Sequence, residues 1–236
     1  MHPDQTTFDF APYRLSGTVY GVLLNHAPAL AALGDRVHAA PYNAPPKAPV
    51  LYLKPRNTLA VPGQVIEVPA GVAALRIGAN LGAVIGRPAC RVSVERALDF
   101  IAGYAIVNDL GVPHDTYYRP SVRFNALDGS CAIGPVAPRA QIADADRLAV
   151  RVFVDGHLEQ ATDTGQRRRP LAQLLADVTE FMTLGPGDIL LLGTAHGAPS
   201  ARAGQSVAVE IEGLGRLENT LAAAGGAHDR PTEPHT

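Results

Sequence analysis

A lysine closes the apolar run VLYLK, where Lys54 follows Val50, Leu51, Tyr52 and Leu53 and is stopped by Pro55. A lysine in such a run is expected to be buried, and a buried ammonium needs a partner or gives up its proton. Lys54 therefore hints at a site. Asp109 ends a second apolar run, GYAIVND, where a carboxylate either serves a site or bonds the backbone of a turn. The next stretch, VPHDTYYRPSVR, gathers His114, Asp115, Tyr117, Tyr118, Arg119 and Arg123. Guanidinium groups hold carboxylates through two parallel hydrogen bonds. Arg119 and Arg123 are thus candidates for binding an acidic substrate, with His114, Asp115 and the tyrosines at the mouth of its cavity. An exposed ion pair and an ordinary polar loop are the plain alternatives. His26 is a candidate base, against the default of a hydrogen-bonded or surface histidine.

Many short strands must position these groups. The 23 glycines and 20 prolines punctuate the chain every few residues, which suits strands and turns better than long helices. Strand candidates are GTVYGVLL, APVLYLK, QVIEVP, ANLGAVIG, GYAIVND, LAVRVFVDG, DILLLG and SVAVEIEGLG. In QVIEVP, Val65 and Glu67 alternate with Ile66 and Val68, and LAVRVFVDG ends on the turn pair Asp155-Gly156. Three helices are expected. APALAALGDR ends near Gly34; SVERALDFIAG starts at a Ser93 cap and closes at Gly103. PLAQLLADVTEFMTL places Leu171, Leu174, Leu175, Val178, Phe181 and Met182 on one stripe, a pattern that reads as core packing.

Apolar residues at 47% and charged residues at 18% support a sizeable core. A net charge of −2 gives no basic surplus for displacing counterions from nucleic acid. The run Arg167, Arg168, Arg169 reads as a solvated loop. Two cysteines, Cys90 and Cys131, outside any CxxC pair, indicate neither a disulfide framework nor a zinc site. The start, MHPDQTTFDFAPYRLSG, is too polar for a signal peptide, and no apolar run approaches the roughly 20 residues that span a bilayer. A cytoplasmic protein is expected, with residues 1–16 as an extension, 17–221 as one domain without linker or repeat, and 222–236 as a disordered tail.

Five segments in order resemble the fumarylacetoacetate hydrolase family: LYLKPRNTL, LGAVIGRPACRVSVERALDFIAGYAIVND, LAVRVFVDG, FMTLGPGDILLLGTAHG and VAVEIEGLGRLEN. Within it, VNDLGVPHDTYYRPSVRFNALDGSCAIGP, GTVYGVLLNHAPAL and YNAPPKAPVLYLKPRNT are similar to the N-terminal half of the isomerase/decarboxylases of 4-hydroxyphenylacetate breakdown. In some bacteria these are one polypeptide of two related halves, in others separate subunits. The resemblance implies a mainly β fold of the α+β kind, a rolled β-sandwich with a few short helices. It also implies a homodimer, or a hetero-oligomer with a paralogous C-terminal-type chain. The implied substrates are 2-oxo or 2-hydroxy dicarboxylates.

The resemblance further implies Mg²⁺ or Mn²⁺. Loss of CO₂ or of a proton beside a carbonyl leaves an enolate, which a divalent cation stabilises. Hard cations take oxygen ligands, mostly carboxylates. The family supplies them as E-x-E on a strand and an Asp further along. Here the two Glu positions fall on Gly78 and Asn80, and the Asp survives as Asp109. Asp109 is the remaining candidate metal ligand, and one carboxylate beside one amide is a poor magnesium site. Restoring both glutamates, Gly78→Glu with Asn80→Glu, is expected to raise metal affinity. The His and Glu that activate water in hydrolytic members fall on Ala29 and Ala32, and the Lys often found ahead of Cys131 falls on Asn125. Lys54 and Thr194 keep the family's identities, Thr194 with its hydroxyl and nearby backbone NH groups as a holder of substrate carboxylate, although Ala195 and His196 alter the usual turn.

Overall fold

The computed structural model describes residues 17–114 and 122–225. Along the chain the strands are β1 (Val19–Leu23), β2 (Val50–Lys54), β3 (Leu59–Ala60), β4 (Val65–Val68), β5 (Leu75–Arg76), β6 (Ala79–Ile85), β7 (Ile101–Asp109), β8 (Cys131–Ile133), β9 (Ala137–Pro138), β10 (Ala149–Val154), β11 (His157–Asp163), β12 (Ile189–Leu191), β13 (Ser200–Ala201), β14 (Ser206–Ile211) and β15 (Gly215–Ala223). The α-helices are short: α1 (Ala27–Ala31), α2 (Val122–Asn125) and α3 (Leu171–Thr179). A mainly β fold with a few short helices is therefore present, as the sequence predicts.

One sheet runs β2-β1-β12-β6-β7-β8-β3, with β9 also paired to β7, and a second runs β11-β10-β14-β15-β4. Strands β5 and β13 form a separate pair. Period-two alternation gives the larger sheet two different faces. Leu81, Ala83 and Ile85 of β6 join Ile106 of β7, Val152 of β10, Val209 of β14 and Leu175 of α3 in the main core. Val84 faces the other way, into a smaller cluster with Val19, Val107, Cys131, Ile189 and Leu191. Cross-strand register puts Lys54 opposite Val19, Asn80 opposite Val107 and Asp109 opposite Cys131. These three polar groups therefore share the face of the smaller cluster, away from the main core.

The expected helices are shorter than their patterns. APALAALGDR divides into α1 and a 3-10 turn, Gly34–His38. SVERALDFIAG is a 3-10 helix, Val94–Phe100, and Ile101 already pairs with Ile85 in the sheet, so the helix stops before Gly103. In α3 the stripe Leu171, Leu174, Leu175 and Val178 is buried as expected, but the helix ends at Thr179. The chain leaves it for the bridge between Leu184 and Ala89, which turns Phe181 outward, 65% exposed. Strand β15 continues through Ala222 and Ala223 against Glu67 and Val68, two residues into the segment expected to be tail, and residues 226–236 lie outside those described.

Candidate functional site

Alternation along β2 aims Tyr52 and Lys54 at the same face. Gly21 of β1 lies directly opposite Tyr52, and a β-carbon at Gly21 would run into the tyrosine ring. The missing side chain lets the ring lie across β1, and the Tyr52 hydroxyl donates to Asp109 Oδ2. Lys54 Nζ meets Asp109 Oδ1 at 2.8 Å. The same ammonium also faces Ser130 Oγ at 3.0 Å and the carbonyls of Asn125 at 2.5 Å and Leu110 at 3.3 Å. Four acceptors thus surround three N–H bonds, and both oxygens of Asp109 are engaged. Lys54 and Asp109 are only 2% and 5% exposed. Burial in the first place, then the neighbouring Asp109 carboxylate, holds the Tyr52 phenol well above its ordinary pKa, so it stays a donor.

Next to this trio, Asp109 N donates to the Gly78 carbonyl at 2.9 Å. Asn80 Nδ2 donates to the same carbonyl at 3.1 Å and to Thr194 Oγ1 at 3.0 Å, and Asn80 Oδ1 is buried without a partner. The fold therefore brings together Lys54, Gly78, Asn80, Asp109 and Thr194, residues far apart in the chain. It does not assemble a cage for Mg²⁺ or Mn²⁺ from them. Among the described residues no group of three His, Cys, Asp or Glu side chains converges. The one carboxylate present is bound to Lys54 and Tyr52, and a hard cation would have to displace an ammonium from it. The residues present do not fit the metal. Gly78→Glu, expected above to help restore it, meets an obstacle: a β-carbon at Gly78 would collide with the Asp109 carbonyl.

His114 stacks on Phe124 at 5.1 Å. Arg123 is exposed on α2. Arg119, with Asp115, Tyr117 and Tyr118, lies outside the described residues. His26 is buried, and its Nδ1 accepts from His196 N at 3.0 Å. Burial chiefly, with the Arg167 charge second, lowers its pKa. That is the hydrogen-bonded histidine of the default reading.

The basic run is not simply a solvated loop. Arg169 Nε pairs with Asp177 at 2.6 Å, its guanidinium reaches the Lys47 carbonyl, and its backbone is clasped by Asn25. Burial pushes the Arg167 guanidinium down to about 10. Sequence reasoning passed over Tyr52, Ser130 and Arg76. Tyr52 was signalled by its i−2 spacing from Lys54, while the other two carry no local mark.

A cavity of about 200 Å³ opens beside the trio, lined by Leu23, Leu24, Ala29, Tyr52, Arg76 and Thr194 and by the loop that follows it. Curled, mainly β sheets around a polar cluster at one sheet face define a member of a known enzyme fold. The chain belongs to the fumarylacetoacetate hydrolase family: the family model described as "Fumarylacetoacetate (FAA) hydrolase C-terminal" matches residues 18–222. It is 38% identical over 209 residues to the 4-hydroxyphenylacetate degradation bifunctional isomerase/decarboxylase of Salmonella dublin, covering 89% of this chain and 48% of that protein. The chain thus spans about half the length of the curated relatives it matches. Two solved structures share the fold. One is 5-carboxymethyl-2-hydroxymuconate delta-isomerase from Mycobacterium smegmatis, with TM-score 0.74, 29% identity, and 89% of this chain and 80% of that one covered. The other is 2-hydroxyhepta-2,4-diene-1,7-dioate isomerase from Mycobacterium marinum, with TM-score 0.71, 28% identity, and 89% and 76% covered.

Proposed function

We propose that this chain is one subunit of an isomerase/decarboxylase of 4-hydroxyphenylacetate (homoprotocatechuate) catabolism, working with a paralogous chain that carries the metal. The joint reactions are decarboxylation of 5-oxopent-3-ene-1,2,5-tricarboxylate and isomerisation of 2-hydroxyhepta-2,4-diene-1,7-dioate. One observation carries the reading: Asp109, the last of the family's metal carboxylates, is closed off by Lys54 and Tyr52. An enolate forming in this cavity would find no divalent cation held by this chain. The isomerase/decarboxylases that the chain matches are about twice the length it covers, which leaves room in such an enzyme for a further part that carries the metal. Two free cysteines suit the reducing cytoplasm that this catabolism implies.

The test uses the intact chain. Purified alone with Mg²⁺ it should release no CO₂ from the tricarboxylate, and addition of a paralogous chain with an intact E-x-E should restore turnover in a co-purifying complex. Metal-dependent turnover by the lone chain, abolished by Asp109→Ala, would instead favour an independent enzyme. Neither activity nor association would leave a non-catalytic homologue.

A further inference from the structure

A second and larger cavity, of about 960 Å³, shares no lining residue with the one beside the Lys54–Asp109 pair. Its volume is in the range of small-molecule sites, roughly 300–1,000 Å³. It opens near the start of β7, where Tyr104 stands five residues before Asp109, about 16 Å along the strand. An odd spacing puts the two side chains on opposite faces, and Tyr104 belongs with the main core. The apolar wall is made by Ile85 at the end of β6, by Leu98 and Ile101 where the 3-10 helix runs into β7, and by Val136 and Ile142. Val136 is 44% exposed, a large apolar side chain that the fold leaves uncovered.

Four polar side chains line the same space: Tyr104, Arg139, Asp144 and Asp146. The two carboxylates are in use. Asp144 pairs with Arg147 at 3.3 Å and accepts from Asp146 N at 3.0 Å. Asp146 takes Leu171 N, at the start of α3, on both oxygens at 3.0 and 3.3 Å. The other two are unspent. Tyr104 is only 2% exposed, yet among the described residues its hydroxyl has no hydrogen-bond partner. Buried tyrosine hydroxyls ordinarily find one. Arg139, on the turn Arg139–Gln141, is exposed and pairs with no carboxylate among the described residues. Burial raises the Tyr104 pKa, with the Arg139 charge acting the other way, so the phenol keeps its proton and donates. The groove thus offers two free donors, one of them cationic, beside an apolar wall.

We propose that this groove is a binding site for a monocarboxylic acid on an apolar body, its carboxylate held by the Tyr104 hydroxyl and the Arg139 guanidinium and its body laid on Ile85, Leu98, Ile101 and Val136. Charge-assisted bonds from a phenol and a guanidinium are strong and directional for a carboxylate. A cationic ligand would face a guanidinium and find both carboxylates engaged. The site lies on the other face of the sheet from Lys54 and Asp109 and needs neither.

The probe is 4-phenylbutyrate, titrated by calorimetry into the full chain. One saturable equivalent is expected. Tyr104→Phe removes an oxygen that bonds nothing in the free protein, so the urea midpoint should hold while affinity falls about tenfold, the worth of a hydrogen bond to a charged group. Arg139→Gln, at an exposed position, should weaken binding by about as much. A comparison on the wild-type chain is free of any folding defect: 4-phenylbutan-1-ol, with the same body and no charge, should bind at least about tenfold more weakly. Absence of saturable binding, as when another copy of the chain closes the groove, would overturn the site. So would equal binding of acid and alcohol, or an affinity unchanged in either variant. None of these outcomes bears on the two-chain reading, which concerns the opposite face.

Discussion

Gly21 lies beneath the ring of Tyr52, and the space a β-carbon would need is already filled by that ring. The glycine is what allows the phenol to reach Asp109. Gly21→Ala is expected to destabilise the chain by about 1–3 kcal/mol, the usual range for overpacking, set against a small gain from a stiffer unfolded chain. In a Tyr52→Ala background the same change should be close to neutral, because the obstructing ring is gone. Urea denaturation of the four proteins measures both effects. An equal loss in the two backgrounds would mean the ring is not what Gly21 accommodates.

A second prediction concerns Lys54 and Asp109. Both are buried, and each is the other's counter-ion at 2.8 Å. Lys54→Met leaves a buried carboxylate with only the Tyr52 hydroxyl on one oxygen, and should cost about 3–5 kcal/mol. Asp109→Asn leaves an ammonium still held by three other acceptors, so its loss should be smaller. The double substitution should lose less than the sum of the two, by about 1–3 kcal/mol, since neither charge is then stranded. Strict additivity in a denaturation cycle would contradict a direct pair.

These residues also show what the sequence could and could not disclose. Lys54 and Asp109 were legible because a charge at the end of an apolar run has few explanations. The strands that alternate cleanly, such as β4 and β10, were legible for the same physical reason that they form: one face is wet and one is dry. Strand β11 was not, because only partial burial marks it, and β5 and β13 are two residues each, too short for any period to show. Arg76 was hidden by that brevity. The acceptors around Lys54 were hidden by distance, since Asn125 and Ser130 lie 71 and 76 residues away and one of them contributes only a backbone carbonyl. The basic run at 167–169 misled because consecutive arginines suggest solvent, while Asp177 and Asn25, which hold Arg169, are supplied by the fold.

The last prediction is a pH dependence centred on His26. Its Nδ1 accepts the N–H of His196, a residue of the cavity wall, so the folded protein needs this nitrogen unprotonated. Burial, and then the positive charge of Arg167, lower its pKa below the ordinary 6.5. In the unfolded chain the same imidazole takes up its proton near 6.5. Between the two values the unfolded state binds more protons, so stability must fall as pH drops below about 6.5 and level off below the folded pKa. The contribution is fully present above the unfolded value. His26→Asn places a non-titrating oxygen near the position of Nδ1, and should flatten the decline in denaturation midpoint between about pH 7 and pH 5 relative to wild type. Protonation also withdraws the acceptor that fixes the His196 segment, so the wild-type cavity should loosen over the same interval and hydrogen exchange at His196 N should quicken. A wild-type midpoint that declines in parallel with the variant across this range would show that His26 is not the group being titrated.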